Sequence, residues 1–460
     1  MSRVPELDVA VVGAGAAGLS AAHELRRAGL TVRVYERSPH VGGRMRSLRH
    51  EGWTVDTGAE QLSERGYPAT WELLRRLGAR PTEVPRVGAG VGVWRGGRAH
   101  LGVGEPTAVL TGAGLRPRAR LDLAVLMART GRPTTGDVPL EAGPPGAATL
   151  REAAARYHRD LHDYLLQPVA GCFFGWDTAR SAAGPLLDLL RENGAPSGWR
   201  TYRDGMDHLA RRLAAGLDVV TGRAVREVVD EGGRAVLRFE EGDAVTARAA
   251  VLAVPAPLVR ALRPELPPDE AGFVEASGFT PMLKVSLLLR RPLSPAAGRP
   301  VHVLLTPAVE EAELSGVVVD HAKHPGRAPA GRGLLSLLAA PRCVPELLEA
   351  PEEEAAGRLT RAAERYVPGL AEPGVVVRHF VHPFRHGLPE ARPRALRERP
   401  GFLSRPARAV EYAGDWVMLR PAAEGAVRSG ALAASRVLSR IGRPLRASGD
   451  ERGEQSHAAS

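Results

Sequence analysis

The stretch that most constrains this chain begins with a short, valine-rich apolar run from Asp8 to Val12. Gly13-Ala14-Gly15-Ala16-Ala17-Gly18 follows at once, then a helical pattern through Leu25. A β-branched run from Thr31 to Tyr35 ends in Glu36, 18 positions beyond Gly18. Strand, glycine turn, helix, strand and acid in this order predict a Rossmann-like dinucleotide-binding unit within an α/β fold. Gly13 permits the tight turn, Gly15 lets backbone amides approach a pyrophosphate, and Gly18 lets the helix pack closely on the strand. The amides of Ala14, Ala16 and Ala17 belong to the same turn, where the positive end of the helix meets the anion. Glu36 can accept hydrogen bonds from both ribose hydroxyls but would repel a 2′-phosphate, which disfavours NADP.

Composition excludes several other classes. The chain has 460 residues, 44% hydrophobic and 25% charged, as expected of a globular protein large enough to bury its core without staples. Two cysteines, Cys172 and Cys343, supply neither a disulfide framework nor a four-ligand zinc site and suit a reducing compartment. With no secretory leader and no window long and apolar enough to span a bilayer, the expected location is the cytoplasm. Net charge is +10, and of 62 basic residues only Lys284 and Lys323 are lysines. The arginines are spread along the chain without a block or aromatic interleaving, so a nucleic-acid partner is not expected.

Further motifs identify the cofactor by resemblance. Gly42-Gly43-Arg44 begins six residues after Glu36, and Asp56-Thr57-Gly58-Ala59-Glu60 follows. Far along the chain stand Glu411-Tyr412-Ala413-Gly414-Asp415-Trp416 and Glu424-Gly425-Ala426-Val427-x-Ser429-Gly430. Together these resemble the flavin-containing amine oxidase superfamily, which includes monoamine oxidases, protoporphyrinogen oxidases and carotenoid or squalene desaturases. The resemblance implies FAD in the nucleotide pocket, with Glu36 and Arg37, Gly43 and Arg44, and Gly58, Ala59 and Glu60 around it. It also implies that Gly414 and Asp415 meet the ribityl-pyrophosphate portion and that Ala423 offers its backbone amide to the flavin pyrimidine. Val225, first of a Val-x-x-Val pattern with Val228, would contact the adenine through its backbone. A helix N-terminus at Ala423 would stabilise negative charge on reduced flavin.

The resemblance implies a domain of the two-dinucleotide-binding type from residues 1–85, 199–265 and 396–445, interleaved with an α+β substrate domain from 86–198 and 266–395. The Pro/Gly-dense stretch from Gly131 to Gly146 reads as an irregular loop, and 446–460 as a disordered tail. Gly88-x-Gly90-x-Gly92 imitates a second nucleotide loop, but Val91 to Trp94, Arg95-Gly96-Gly97-Arg98 and Ala99 to Leu101 read better as a hairpin. Without a pyridine-nucleotide site, reduced flavin would pass its electrons to oxygen or another acceptor.

Lys284, within Gly278-Phe279-Thr280-Pro281-Met282-Leu283-Lys284-Val285, is the candidate catalytic residue. It resembles the lysine that holds a water near flavin N5 in amine oxidases, and a chain so rich in arginine rarely places lysine by default. The competing reading is a surface lysine guarding a strand edge. His379-x2-His382-x3-His386 imitates metal-ligand spacing, but Pro383 breaks a shared helical face and no carboxylate or cysteine accompanies the histidines, so no metal is expected. His386, and with it His382, is a candidate for the cavity wall. Phe173, Phe174 and Trp176 would wall a substrate pocket, or else be plain core.

Departures from the family narrow the expected reaction. No cysteine lies between Phe402 and Gly414, so FAD is expected to be non-covalent. Where monoamine oxidases present a tyrosine, this chain reads Pro421-Ala422-Ala423-Glu424. Its Gly-Asp-Trp segment looks closer to desaturases, whereas Gln167-Pro168-Val169-Ala170-Gly171 and Ser181-Ala182 look closer to protoporphyrinogen oxidases. What these branches share is hydride abstraction from a C–H beside nitrogen or from an allylic C–H of a small molecule, here a medium-sized, largely apolar one. An amine oxidase releasing aldehyde, ammonia and peroxide, a protoporphyrinogen oxidase-like enzyme and a flavin-binding protein without turnover are the alternatives. The basic-apolar stretch from Arg116 to Arg129 leaves contact with a membrane surface open.

Overall fold

The valine-rich run forms the strand Leu7–Val12 in the computed structural model, which describes residues 7–129 and 148–442. The expected loop from Gly131 to Gly146 and the expected polar tail lie outside the described residues. Leu7–Val12 runs parallel between Ala244–Leu252 and Val32–Glu36, and Asp218–Thr221 extends the sheet beyond Val32–Glu36. Ala244–Leu252 divides its other edge. Its first half pairs antiparallel with Arg234–Phe239, itself paired with Val225–Glu231, and its last residues run parallel to Val410–Tyr412.

A parallel sheet covered on both faces needs apolar side chains at every position, not at alternate ones. Val9, Val11, Val34 and Val251 feed one core, packed under the helices Ala16–Arg27 and Ala423–Ile441. Ala10, Val12, Tyr35 and Leu252 face the opposite core. The unbroken apolar run that marked the strand in the sequence is therefore a consequence of double burial.

A second seven-stranded sheet is mixed and mostly antiparallel. Its order is Val376–Glu390, Gly278–Leu289, Gly333–Ala339, Leu314–Val319, Val301–Leu305, Gly90–Arg95 and Arg98–Leu101. The last two strands form the expected hairpin, with Gly96 and Gly97 at φ of 57° and 83° in its turn. Along Gly278–Leu289, Leu283, Val285, Leu287 and Leu289 point into an apolar core shared with the helix Glu352–Glu364. The intervening Lys284 and Ser286 take the other face, as the two-residue period of a strand requires.

Candidate functional site

One cavity of about 1890 Å³ is lined by residues of both sheets and of the connections between them. Ligand pockets usually measure about 300–1,000 Å³, so this space exceeds what one small ligand fills. Gly13, Gly15, Ala16, Ala17, Glu36, Arg37, Gly43, Arg44, Gly58, Ala59, Glu60, Val225, Gly414, Asp415 and Ala423 lie on its wall. Ala14 and Gly18, from the same segment, are buried and are not among its lining residues.

The turn has the geometry a dinucleotide needs. Gly13 has φ of 104°, and a Cβ there would lie 2.6 Å from the Ala253 carbonyl oxygen. A Cβ at Gly18 would lie 2.0 Å from the Gly13 oxygen, so only glycine lets the helix start this close to the strand. At Gly15 a Cβ would meet nothing within 4 Å, because that side opens into the cavity. No side chain caps Ala16–Arg27 or Ala423–Ile441, and residues at both N-termini line the cavity, so two helix ends present amide donors and positive dipoles to one space. The Glu36 carboxylate is held in place by the N–H groups of Ala14 at 2.8 Å and Ser38 at 2.9 Å. These residues fit a flavin dinucleotide.

Residues of the distant motifs also bond to other parts of the protein. The Arg44 guanidinium donates to both carboxylate oxygens of Asp415, at 2.8 and 2.9 Å, and to the Gly387 carbonyl at 2.9 Å. The two motifs thus brace each other at the cavity wall. Glu424, the acid of the C-terminal motif, is fully buried and accepts from the Ala69 and Thr70 amides and the Thr70 hydroxyl, capping the helix Pro68–Arg76.

Lys284 is not a surface lysine at a strand edge. Gly278–Leu289 is flanked by strands on both sides, and Lys284 is 3% exposed on the cavity wall. Its ammonium donates to the Asp56 carbonyl at 2.6 Å and to Glu60 Oε1. Lys323, which no motif marked, donates to Glu60 Oε2 and to Asp56 Oδ2 at 2.9 Å, and lies 3.0 Å from Asp320 Oδ1. Arg327 lies 3.1 Å from Asp56 Oδ2. Asp56, Glu60 and Asp320 bring carboxylate oxygens within 4.8 Å of one another, but three cations match their charge and leave a metal ion no net attraction. Glu60, expected beside the cofactor, has both oxygens committed to lysines.

Burial, and then the Asp320 carboxylate, push the Glu60 carboxyl above its ordinary range despite the two lysines. Burial acts in the same sense on Asp56, but Lys323, Arg327, the Ser47 hydroxyl and the Met206 amide outweigh it and hold that carboxyl low. Burial also opposes the charge on Lys323, which its three carboxylate neighbours nevertheless stabilise, so its ammonium is held above the usual lysine range. Beside this cluster, burial depresses the His302 and His382 imidazoles to about 3, helped by Lys323 and Lys284 respectively.

Of the histidines proposed for the wall, His386 lines the cavity and His382 does not; His382 meets the Ser286 hydroxyl at 3.1 Å. The segment is an edge strand, where Pro383 is tolerated. Register steps from Thr280 opposite Leu388 to Met282 opposite Phe384, so Arg385, His386 and Gly387 bulge opposite Pro281. Such bulges re-aim side chains. Burial, and then the Arg37 and Arg385 charges, lower the His386 pKa.

Trp176 must be corrected. Phe173 and Phe174 line the cavity, but the chain turns at Gly175, φ 62°, and sends Trp176 into the core, 1% exposed, with its indole N–H on the Pro389 carbonyl at 2.9 Å.

On the remaining wall, Val91, Leu115, Leu123, Val169, Phe173 and Leu338 form an apolar chamber, while Arg65, Arg120, Arg191 and Asn193 also line the cavity. The chain matches a protoporphyrinogen oxidase of Arabidopsis thaliana at 46% identity over 72 residues, 16% of this chain and 14% of that one. It matches a protein named as a flavin-containing monoamine oxidase in Mycobacterium tuberculosis at 31% over 289 residues, 57% of this chain and 60% of that one. The matches thus span less than two thirds of either curated relative. Cyclohexylamine oxidase from Brevibacterium oxydans has the same fold, with a TM-score of 0.76 at 17% identity, over 95% of this chain and 100% of that one. The family model for flavin containing amine oxidoreductases matches residues 16–438, and the chain belongs to that family.

Proposed function

We propose that this protein is an oxidoreductase that binds FAD non-covalently and removes a hydride from a C–H beside nitrogen, or from an allylic C–H, of a medium-sized, largely apolar metabolite. The observation that carries this reading is the continuity of one cavity from the nucleotide turn to the apolar chamber, with Lys284 on its wall. When bound, FAD supplies the hydride acceptor, later reoxidised by oxygen or another acceptor. The protein's part is to hold the substrate in a dry chamber, with Phe173 and Phe174 as apolar wall and Lys284 as the polar group beside the reacting bond.

Charge favours a neutral substrate. The carboxylates on the cavity wall are Glu36, Glu60, Glu105, Glu240 and Asp415. Glu60 is held by two lysines, Glu105 by the Ser197 amide and hydroxyl, and Asp415 by Arg44, while Glu36 and Glu240 lie with the nucleotide-side residues. Among the described residues, a substrate ammonium would find no uncommitted carboxylate in the chamber. The 31% identity to a monoamine oxidase sustains the alternative of an amine substrate oxidised to aldehyde, ammonia and peroxide.

The strands of the first sheet all come from segments 1–85, 199–265 and 396–445, and those of the second from 86–198 and 266–395. This supports a discontinuous FAD domain interleaved with a substrate domain. Two free cysteines are in keeping with a cytoplasmic location; no helix among the described residues is long and apolar enough to cross a membrane.

The test is spectroscopic. Purified protein should be yellow, release intact FAD on acid treatment, and lose its ~450 nm band anaerobically with a neutral substrate of this class. Bleaching by simple amines with peroxide formation would move the assignment to the amine oxidase alternative. Folded protein that stays colourless after incubation with FAD would remove both.

A further inference from the structure

Both lysines of a chain with 62 basic residues converge on one carboxylate. Lys284 takes one oxygen of Glu60 and Lys323 the other, while Asp56 and Asp320 hold Lys323 from behind. Lys323 and the side chains of Asp56 and Asp320 are at most 1% exposed, whereas Glu60 and Lys284 reach the cavity wall. A row of hydroxyls completes the packing, the Ser336 hydroxyl donating to Asp320 at 2.7 Å and lying 3.3 Å from that of Ser286.

We propose that Lys323 is a positioning residue: it keeps Glu60 ionised, with both oxygens committed, so that Glu60 fixes the Lys284 ammonium and does not exchange a proton with whatever occupies the chamber. Burial and the Asp320 carboxylate push the Glu60 carboxyl up while Lys284 and Lys323 oppose them, and a buried carboxyl lacking sufficient cationic partners takes up a proton. Protonated, Glu60 would be a hydrogen-bond donor and proton source beside the reacting bond. Lysine suits this position because a compact ammonium can touch three carboxylates at once, which the planar fork of arginine does less readily.

The groups facing the pair come from every neighbouring element. Asp56 and Arg327 balance each other's charge at 3.1 Å, and Asp320 balances Lys323. His302 and His382 are pushed to about 3 by burial, and the Cys172 thiol is pushed up by burial, so all three are uncharged near neutral pH. Asp56, Glu60 and Asp320 therefore stand against Lys284, Lys323 and Arg327 with no net charge. The placement of Lys284 beside the reacting bond rests on the functional reading above; the ionisation of Glu60 does not.

Two lysines make the test direct, because protein labelled with ¹³C at lysine Cε gives two side-chain signals. In the wild type, with FAD and without substrate, neither signal should show a titration step between about pH 5.5 and about pH 9, the window in which an ordinary lysine keeps its proton. In Lys323→Met, Glu60 has lost a cation, so the remaining Lys284 signal should show a step as Glu60 binds a proton. Lys323→Arg should flatten the profile again. The Glu60→Gln/Lys323→Met double variant should also be flat, since two carboxylates then face two cations.

If Lys323→Met does not fold, Glu60→Gln alone leaves three cations against two carboxylates, and one lysine signal should move to the amine position within the same window. A step in the wild type, a folded Lys323→Met without one, or Glu60→Gln leaving both signals unmoved would each overturn the proposal. None of these spectra requires turnover, so they stand or fall separately from the assignment of the substrate.

Discussion

Arg44 and Asp415 are joined by two parallel hydrogen bonds, of 2.8 and 2.9 Å, across 371 positions of sequence. A planar guanidinium matches a carboxylate in this two-pronged way, and an ammonium cannot. Asp415→Asn should therefore destabilise the fold by about 3 kcal/mol, the lower end for breaking a buried pair because Arg44 is partly exposed. Arg44→Lys, which keeps the charge but not the two-pronged geometry, should destabilise it by less. Urea denaturation measures the first effect, and flavin release during the transition shows whether the cradle opens with it.

Gly18→Ala tests the close approach of helix and strand. The added methyl would lie 2.0 Å from the Gly13 oxygen and 2.9 Å from the Ala253 Cβ, and neither is a flexible side-chain end. Overpacking of this kind costs about 1–3 kcal/mol or more. The variant should melt earlier and bind flavin weakly. Gly15→Ala, facing open cavity, should keep its melting temperature without cofactor and lose only flavin affinity.

The buried histidines fix a pH dependence of stability. His302 and His382 have folded-state pKa values of about 3, against about 6.5 in an unfolded chain. Between those values the unfolded state binds protons that the folded state does not. Stability therefore rises with pH through that window and levels off above it. Going from pH 7 to pH 5 should cost about 2 kcal/mol per imidazole. Urea midpoints at the two pH values measure the loss, and His382→Gln should remove about half of it.

Phe173 and Trp176 separate chamber from core. Phe173→Ala should raise the KM for an apolar substrate while flavin affinity stays the same, because Phe173 lines the cavity. Trp176→Phe leaves the Pro389 carbonyl without its donor and should cost about 1–3 kcal/mol of stability with KM unchanged. Steady-state kinetics beside thermal melts distinguish the two outcomes.

How much was legible in the sequence follows from how local each feature is. Gly13, Gly15, Gly18 and Glu36 announce themselves because a tight turn and a strand-end acid are properties of a few adjacent residues. The Gly96-Gly97 hairpin is legible for the same reason. His386 owes its place to a bulge that exists only against the partner strand Gly278–Leu289, and nothing in its own segment records that register. Trp176 differs from Phe174 only by the turn at Gly175, whose direction is settled by tertiary packing. Lys323 is the instructive omission. The scarcity of lysine that singled out Lys284 applied equally to Lys323, but without a neighbouring motif it lacked a context, and its partners Asp56 and Glu60 lie far away in sequence.

The strand Val410–Tyr412 lies beside Ala244–Leu252, and the helix Ala423–Ile441 packs over Ala16–Arg27 while its Glu424 caps Pro68–Arg76. During synthesis the glycine turn therefore emerges from the ribosome hundreds of residues before the helix that completes the flavin pocket. The nascent chain must carry an unfinished sheet edge and an uncovered apolar helix until Val410–Tyr412 and Ala423–Ile441 have been made. A product that stops before Gly414 leaves the ribosome with half a cradle and nothing to close it.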